Sequence, residues 1–279
     1  MTPSQAAFQL SHVWRDVCPN EAPYPIDARQ IAEDMLGITV LGDDQLGDDF
    51  EAALFVRPKG KRIIYNQNIR QDGRKNFSIA HEIGHSSLHA GRDEFRCSIK
   101  DLTDMAPHPQ NIEQEANLFA ATLLMPADDF RQQMCDRPFT LAALSELGDE
   151  RYRTTGTAMC VRLLELSKRT PLVMIRVHDQ HHTVIGWSRN DAMKYTAFWL
   201  ERGQVVPTAV VFHDPDGRQV DSALWLKPDH SKRWTLIQSA VHMPYYGQIL
   251  ILLHAERLDE MQDFEEPDPT PPSLPSFRK

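Results

Sequence analysis

Up to Pro171 the apolar positions recur mostly at helical spacing. Residues 5–17 and 26–36 read as helices, the second opened by Pro25 and Asp27. Residues 50–56 and 62–66 flank the turn Pro58-Lys59-Gly60-Lys61, the pattern of a β-hairpin. A helix is expected over 74–90, then a polar connection, then a helix over 111–124 stopped by Pro126. Residues 141–147 and 157–167 read as two further helices. Beyond Pro171 the runs shorten and become β-rich, at 172–177, 183–187, 209–212, 224–226 and 249–253. This change of texture predicts an α+β domain over 1–125, a helical segment over 126–170 and a smaller β-rich domain over 171–256.

Residues 257–279 break the pattern altogether. From Glu256 to Asp268 there are seven acidic residues and one arginine, and PDPTPPSLPSFRK, overlapping the end of that run, has five prolines. No apolar periodicity survives there, so an acidic, proline-rich flexible tail is expected.

Composition narrows the function. Apolar residues make up 41% of the 279 and charged residues 25%, the balance of a globular protein. The net charge of −9 argues against a basic nucleic-acid platform and a polybasic membrane binder. The apolar run at 249–253 is far short of the ~20 residues that span a bilayer. The first twenty residues hold no apolar core of signal-peptide length. Cys18, Cys97, Cys135 and Cys160 are widely spaced, without a CxxC pair, so a reducing cytosol is the expected compartment.

The chemistry concentrates in FSIAHEIGHSSLHA at 77–90. His81-Glu82-Ile83-Gly84-His85 is an H-E-x-x-H motif, and side chains four apart share a helix face, so both histidines can hold one metal ion. Glu82, adjacent to His81, can reach a water molecule as general base without ligating the metal itself. Phe77, Ala80, Ile83, Gly84 and Leu88 make this helix apolar or small on most sides, which predicts burial. Buried imidazoles and carboxylates need partners. Gly84, mid-helix, costs about 1 kcal/mol against alanine, which suggests that something approaches the backbone closely there.

A catalytic zinc takes three protein ligands. A third histidine spaced for a metzincin would stand at residue 91, which is glycine. His89 reads better as a helix-end or surface histidine. The segment EQEANLFAATLLMP at 113–126 supplies a glutamate instead. Glu113, Asn117, Ala120 and Leu124 form one stripe, so Glu113 is the candidate ligand and Asn117 the candidate partner of a ligating histidine. Glu115, about 200° around that helix, reads as a solvated charge and stands second as a ligand.

HEIGH followed by EQEANLFAATLLMP resembles the ImmA/IrrE family of bacterial zinc metallopeptidases, over residues 25–126. The resemblance implies a zincin-like domain with one zinc per chain, held by His81, His85 and Glu113. Glu82 is then the general base and Asn117 the partner of a ligating histidine. It further implies a helix-turn-helix-like segment in LAALSELGDERYRTTGTAMCVRLLELS and, from order and size alone, a GAF-like sensor domain over 171–256. The implied activity is cleavage of a helix-turn-helix transcriptional repressor encoded nearby, derepressing a stress, mobile-element or phage-defence operon. Tyr65, Tyr152, Arg153 and Tyr195 are all candidate donors to the developing oxyanion.

Two other classes remain open at this level. One is a catalytically silent zinc protein that works by binding a partner, against which the intact Glu82 speaks. The other is a nucleic-acid sensor with DNA as activating ligand, for which Arg151, Arg153, Arg162, Lys168 and Arg169 form a modest basic stretch. Cys97 lies between the two ligand helices, 12 residues after His85 and 16 before Glu113. A thiolate there is a candidate regulatory fourth zinc ligand that would hold the site closed, set against a plain packing role.

Overall fold

The computed structural model describes residues 1–17, 23–47, 50–89, 94–98, 112–227 and 231–258. Helix α1 (Pro3–Val17) buries Ala7, Ser11 and Trp14, one stripe at helical spacing. A short α2 (Ala28–Gln30), capped by the Asp27 carboxylate on the Gln30 amide, runs into a π-helical turn at Ile31–Met35. Strands β1 (Thr39–Asp43), β2 (Phe50–Arg57) and β3 (Gly60–Asn66) follow, with the expected hairpin between β2 and β3. Gly60 takes φ 137°, a conformation open to glycine, where the hairpin turns.

Helix α3 (Asp72–Leu88) carries the H-E-x-x-H motif, and β4 (Glu94–Ser98) follows it. The sheet order is β1-β3-β2-β4, with β1 parallel to β3 and the other pairs antiparallel. Then come α4 (Ile112–Leu124), α5 (Ala127–Met134), α6 (Leu141–Leu147) and α7 (Gly156–Leu166). Helix α4 packs between α1 and α3. The second sheet is built from β5 (Leu172–His178), β6 (Val184–Arg189), β7 (Asp214–Val220), β8 (Trp234–Met243) and β9 (Gln248–Arg257). Its order is β6-β5-β9-β8-β7 and every pairing is antiparallel.

The molecule is thus a mixed α+β protein with a helix-rich first part and a β-rich second part. Alternation along β5 and β9 gives the second sheet two apolar faces. Leu172, Met174, Leu250 and Leu252 join the core that runs through α1, α3, α4 and α7. Val173, Ile175, Ile249 and Ile251 face the other way, onto Phe198, Trp225 and Leu226.

Several expectations need correcting. Residues 209–212 and 224–226 are not strands: 3-10 turns occupy Thr208–Val210 and Ser222–Leu224, behind Pro207 and the Asp221 cap. The polar connection after α3 contains a strand, β4, while α5, β1, β7 and β8 have no counterpart in the sequence reading. The expected tail beyond residue 258 lies outside the described residues, as does Cys18. Among the described residues no helix is long and apolar enough to cross a membrane.

Candidate metal centre

Two helices build the site. Helix α3 lies against the first sheet and buries His81, Glu82 and His85 completely. Its approach to α4 depends on Gly84: a Cβ there would stand 3.1 Å from the Ala116 Cα and 3.2 Å from the Phe119 Cβ. The glycine lets two backbones close to a distance at which short side chains from each can meet.

They meet at three atoms. Glu113 Oε2 lies 3.1 Å from His81 Nε2 and 3.2 Å from His85 Nε2, and the two imidazole nitrogens are 3.0 Å apart. Helix α4 grips His81 twice, because Asn117, one turn after Glu113, places Oδ1 2.9 Å from His81 Nδ1. An amide oxygen only accepts, so the network assigns the His81 proton to Nδ1 and leaves a lone pair on Nε2.

His85 is held by a longer chain. Its Nδ1 lies 3.0 Å from His89 Nδ1, and His89 Nε2 lies 2.9 Å from Glu115 Oε2. A carboxylate only accepts, so His89 donates from Nε2, accepts at Nδ1, and takes its hydrogen bond from His85 Nδ1. Phe95 of β4 stacks on the His85 ring, with centroids 4.4 Å apart.

The consequence is electrostatic. Three electron-pair donors, His81 Nε2, His85 Nε2 and Glu113 Oε2, converge with no proton left to place among them. Such a set fits a divalent cation, and two imidazoles with one carboxylate is a catalytic zinc donor set.

His81, His85, Glu113 and Asn117 therefore lie together, with Glu82 buried on the same helix. His89 caps the C-terminal end of α3, in keeping with a helix-end histidine, and Glu115 is exposed; what the sequence reading lacked is the bond between them, with the His89 side chain buried. The signal was present, for His81, His85 and His89 repeat at four-residue spacing along one face. Cys97 contributes backbone to β4 opposite Ala52, and its proposed role as a ligand lies outside the described side chains.

Among the oxyanion candidates, Tyr152 is engaged elsewhere. It is buried, bonds Asp129 at 2.7 Å, and its hydroxyl is pushed far up by burial and that hydrogen bond. Tyr195 is exposed on the β-rich part. The basic stretch is not one open face either: Arg151 bonds Asp129 at two oxygens, and buried Arg162 bonds the Met125 carbonyl and Glu165.

An H-E-x-x-H helix crossed by a glutamate-bearing helix above a small mixed sheet is the arrangement of a metallopeptidase domain. Residues 33–156 match the IrrE N-terminal-like domain of the peptidase M78 family, and the chain carries an ImmA/IrrE-family metallopeptidase domain. It is 31% identical over 118 residues to the radiation response metalloprotease IrrE of Deinococcus radiodurans, a match covering 42% of this chain and 34% of that protein. The chain thus spans about a third of that relative's length. A Mycobacterium tuberculosis transcriptional regulator shares the fold, with a TM-score of 0.56 at 17% identity, over 90% of this chain and 87% of that one.

Proposed function

We propose that this chain is a zinc-dependent endopeptidase that cleaves a helix-turn-helix transcriptional repressor encoded nearby, acting in the cytosol to derepress a stress, mobile-element or phage-defence operon. His81, His85 and Glu113 are the ligands of one zinc, and Asn117 orients His81. The observation that carries this reading is the convergence of His81 Nε2, His85 Nε2 and Glu113 Oε2 at the helix that also buries Glu82. In such a site a divalent ion supplies Lewis-acid polarisation of the scissile carbonyl and activation of water. Glu82 takes the proton from the attacking water and returns it to the leaving amide nitrogen. The His85–His89–Glu115 chain fixes the orientation of the His85 ring. The repressor as substrate rests on the family resemblance and on the relative named as a radiation response metalloprotease. We assign 1–125 to the peptidase domain, 126–170 to a helix-turn-helix-like segment, 171–256 to a GAF-like sensor and 257–279 to a flexible tail.

The test is co-expression with the repressor encoded beside the gene, with and without DNA damage. A discrete repressor fragment that disappears with chelator is expected. An intact repressor under both conditions, with metal bound to the enzyme, would overturn the substrate assignment.

Metal content discriminates the two glutamates. Elemental analysis should find about one zinc per chain in the unaltered protein. Glu113→Ala should empty the site. Glu115→Ala should leave it filled but weaken affinity about 10–100-fold in chelator competition, because His89 loses the group that orients it. A filled site in Glu113→Ala and an empty one in Glu115→Ala would reverse the assignment.

A further inference from the structure

A cavity of about 570 Å³ opens where the first turn of α3, the first turn of α7 and the turn between β8 and β9 meet. None of the metal-centre residues lines it. Its walls are largely apolar and aromatic, with Phe77, Leu141, Val241, Leu250, Tyr245 and Tyr246 among them. Arg74, also in the wall, places its guanidinium 5.1 Å from each tyrosine ring centre.

The polar end of the cavity favours an anion. Helix α7 starts there, and the Thr155 cap takes only the Ala158 amide, leaving the Gly156 and Thr157 amides at the cavity wall without a bond from that cap. The helix start is open, because a Cβ on Gly156 would meet nothing within 4 Å. Helix α3 also begins at this wall, and Gln71 gives it no side-chain cap. Two helix N-termini of 17 and 11 residues thus bring partial positive charge to one space. Independently, Thr154 in the same wall has a buried hydroxyl with no hydrogen-bond partner. Buried hydroxyls are normally bonded, so this one marks a place where a ligand or its water is expected.

The charged side chains agree. Arg153 and Arg176 line the cavity, and no carboxylate pairs with Arg153 among the described residues. Of the acidic residues in the wall, Glu51 is neutralised by Arg74, while Asp72 and Asp149 are exposed to solvent.

We infer that this cavity binds a small organic anion, a phosphate or carboxylate carried on a ring-sized apolar body. The anionic group sits at the start of α7 and the ring lies against Tyr245 and Tyr246. The inference does not depend on the metal or on peptidase activity. Phe77 and Arg74 precede His81 by four and seven residues on one helix, so an occupant would touch the helix that bears the histidines.

Calorimetric titration of the full chain with phenyl phosphate tests it, with benzoate, phenol and inorganic phosphate in parallel. Phenyl phosphate or benzoate should bind at least tenfold more tightly than phenol and than inorganic phosphate, and whichever of the two binds better identifies the anion. Gly156→Pro removes one amide donor at a helix position that accepts proline, and Thr155 is already extended as a residue before proline requires (φ −85°, ψ 151°). That variant and Arg153→Gln, at an exposed position, should each weaken the anion at least fivefold while leaving the melting temperature and phenol binding unchanged. Tyr246→Leu should weaken phenyl phosphate and phenol alike. Equal affinity for phenol and the two anions, or no binding of either anion at millimolar concentration, would overturn the inference. So would unaltered anion binding in Arg153→Gln.

Discussion

In a Glu82→Gln variant, cleavage of the repressor is expected to fall by about 10²–10⁴-fold, the usual worth of a positioned general base. Metal content should stay at that of the unaltered chain. The two parts separate chemistry from construction. Glutamine keeps the size of glutamate and nearly its helix propensity, and α3 at this position is wholly buried, so the substitution should leave the packing in place. What disappears is the ability to accept a proton. The three donor atoms of the metal cluster belong to His81, His85 and Glu113, so Glu82 is not needed to hold the ion. Fragment yield in the co-expression assay and elemental analysis of the same preparation check both parts. A variant that cuts at near the original rate would remove Glu82 from the mechanism, and one that loses its metal would make it a structural group.

The meeting of His81, His85, Glu113 and Asn117 was legible because its parts are local. Two histidines four apart on one helix, and a glutamate and an asparagine four apart on another, need only the 3.6-residue period to be placed on common faces. Gly84 gave a correct hint of close approach, and its neighbours are the backbone of Ala116 and the ring of Phe119. Glu115 is exposed and outside the cluster, as read, but its bond to His89 was hidden for a physical reason. Its angular position on α4 is away from the Glu113 stripe, but α3 outlasts the crossing by one turn and carries His89 out to meet it. A helical-wheel argument describes one helix, whereas the partner of Glu115 is set by the crossing of two.

Strand β8 failed for the opposite reason. Gln238 and Ser239 interrupt its apolar pattern, and both are buried. Gln238 accepts from the Trp225 indole and donates to the Val210 carbonyl, and Ser239 accepts from the Leu141 amide, so their burial is compensated by residues far away in the chain. Nothing within ten residues of Gln238 announces those partners. Strand β5 was readable because both of its faces are covered, which leaves an unbroken apolar run at 172–175.

The buried pair between Arg74 and Glu51 was equally hidden, and it carries the second large prediction. Arg74 sits in the first turn of α3 and Glu51 at the start of β2, and both side chains are almost fully buried. Ser78, one turn on, adds a hydrogen bond to the other Glu51 oxygen at 3.2 Å. Removing one partner strands a charge in a water-poor interior, so Arg74→Ala should destabilise the protein by about 3–5 kcal/mol. That is a large share of the roughly 5–15 kcal/mol of a typical domain. The pair itself need not stabilise the fold, because its Coulomb attraction is offset by the loss of hydration. An Arg74→Met, Glu51→Leu double variant should therefore recover most of the loss, as a buried pair exchanged for packed apolar groups generally does. Arg74 also lies against Tyr245 and Tyr246, so both variants should loosen the contact between α3 and the β8–β9 turn. Urea unfolding followed by far-ultraviolet circular dichroism compares the three proteins. A double variant no more stable than Arg74→Ala would mean that the lost tyrosine contacts, and not the stranded carboxylate, set the cost.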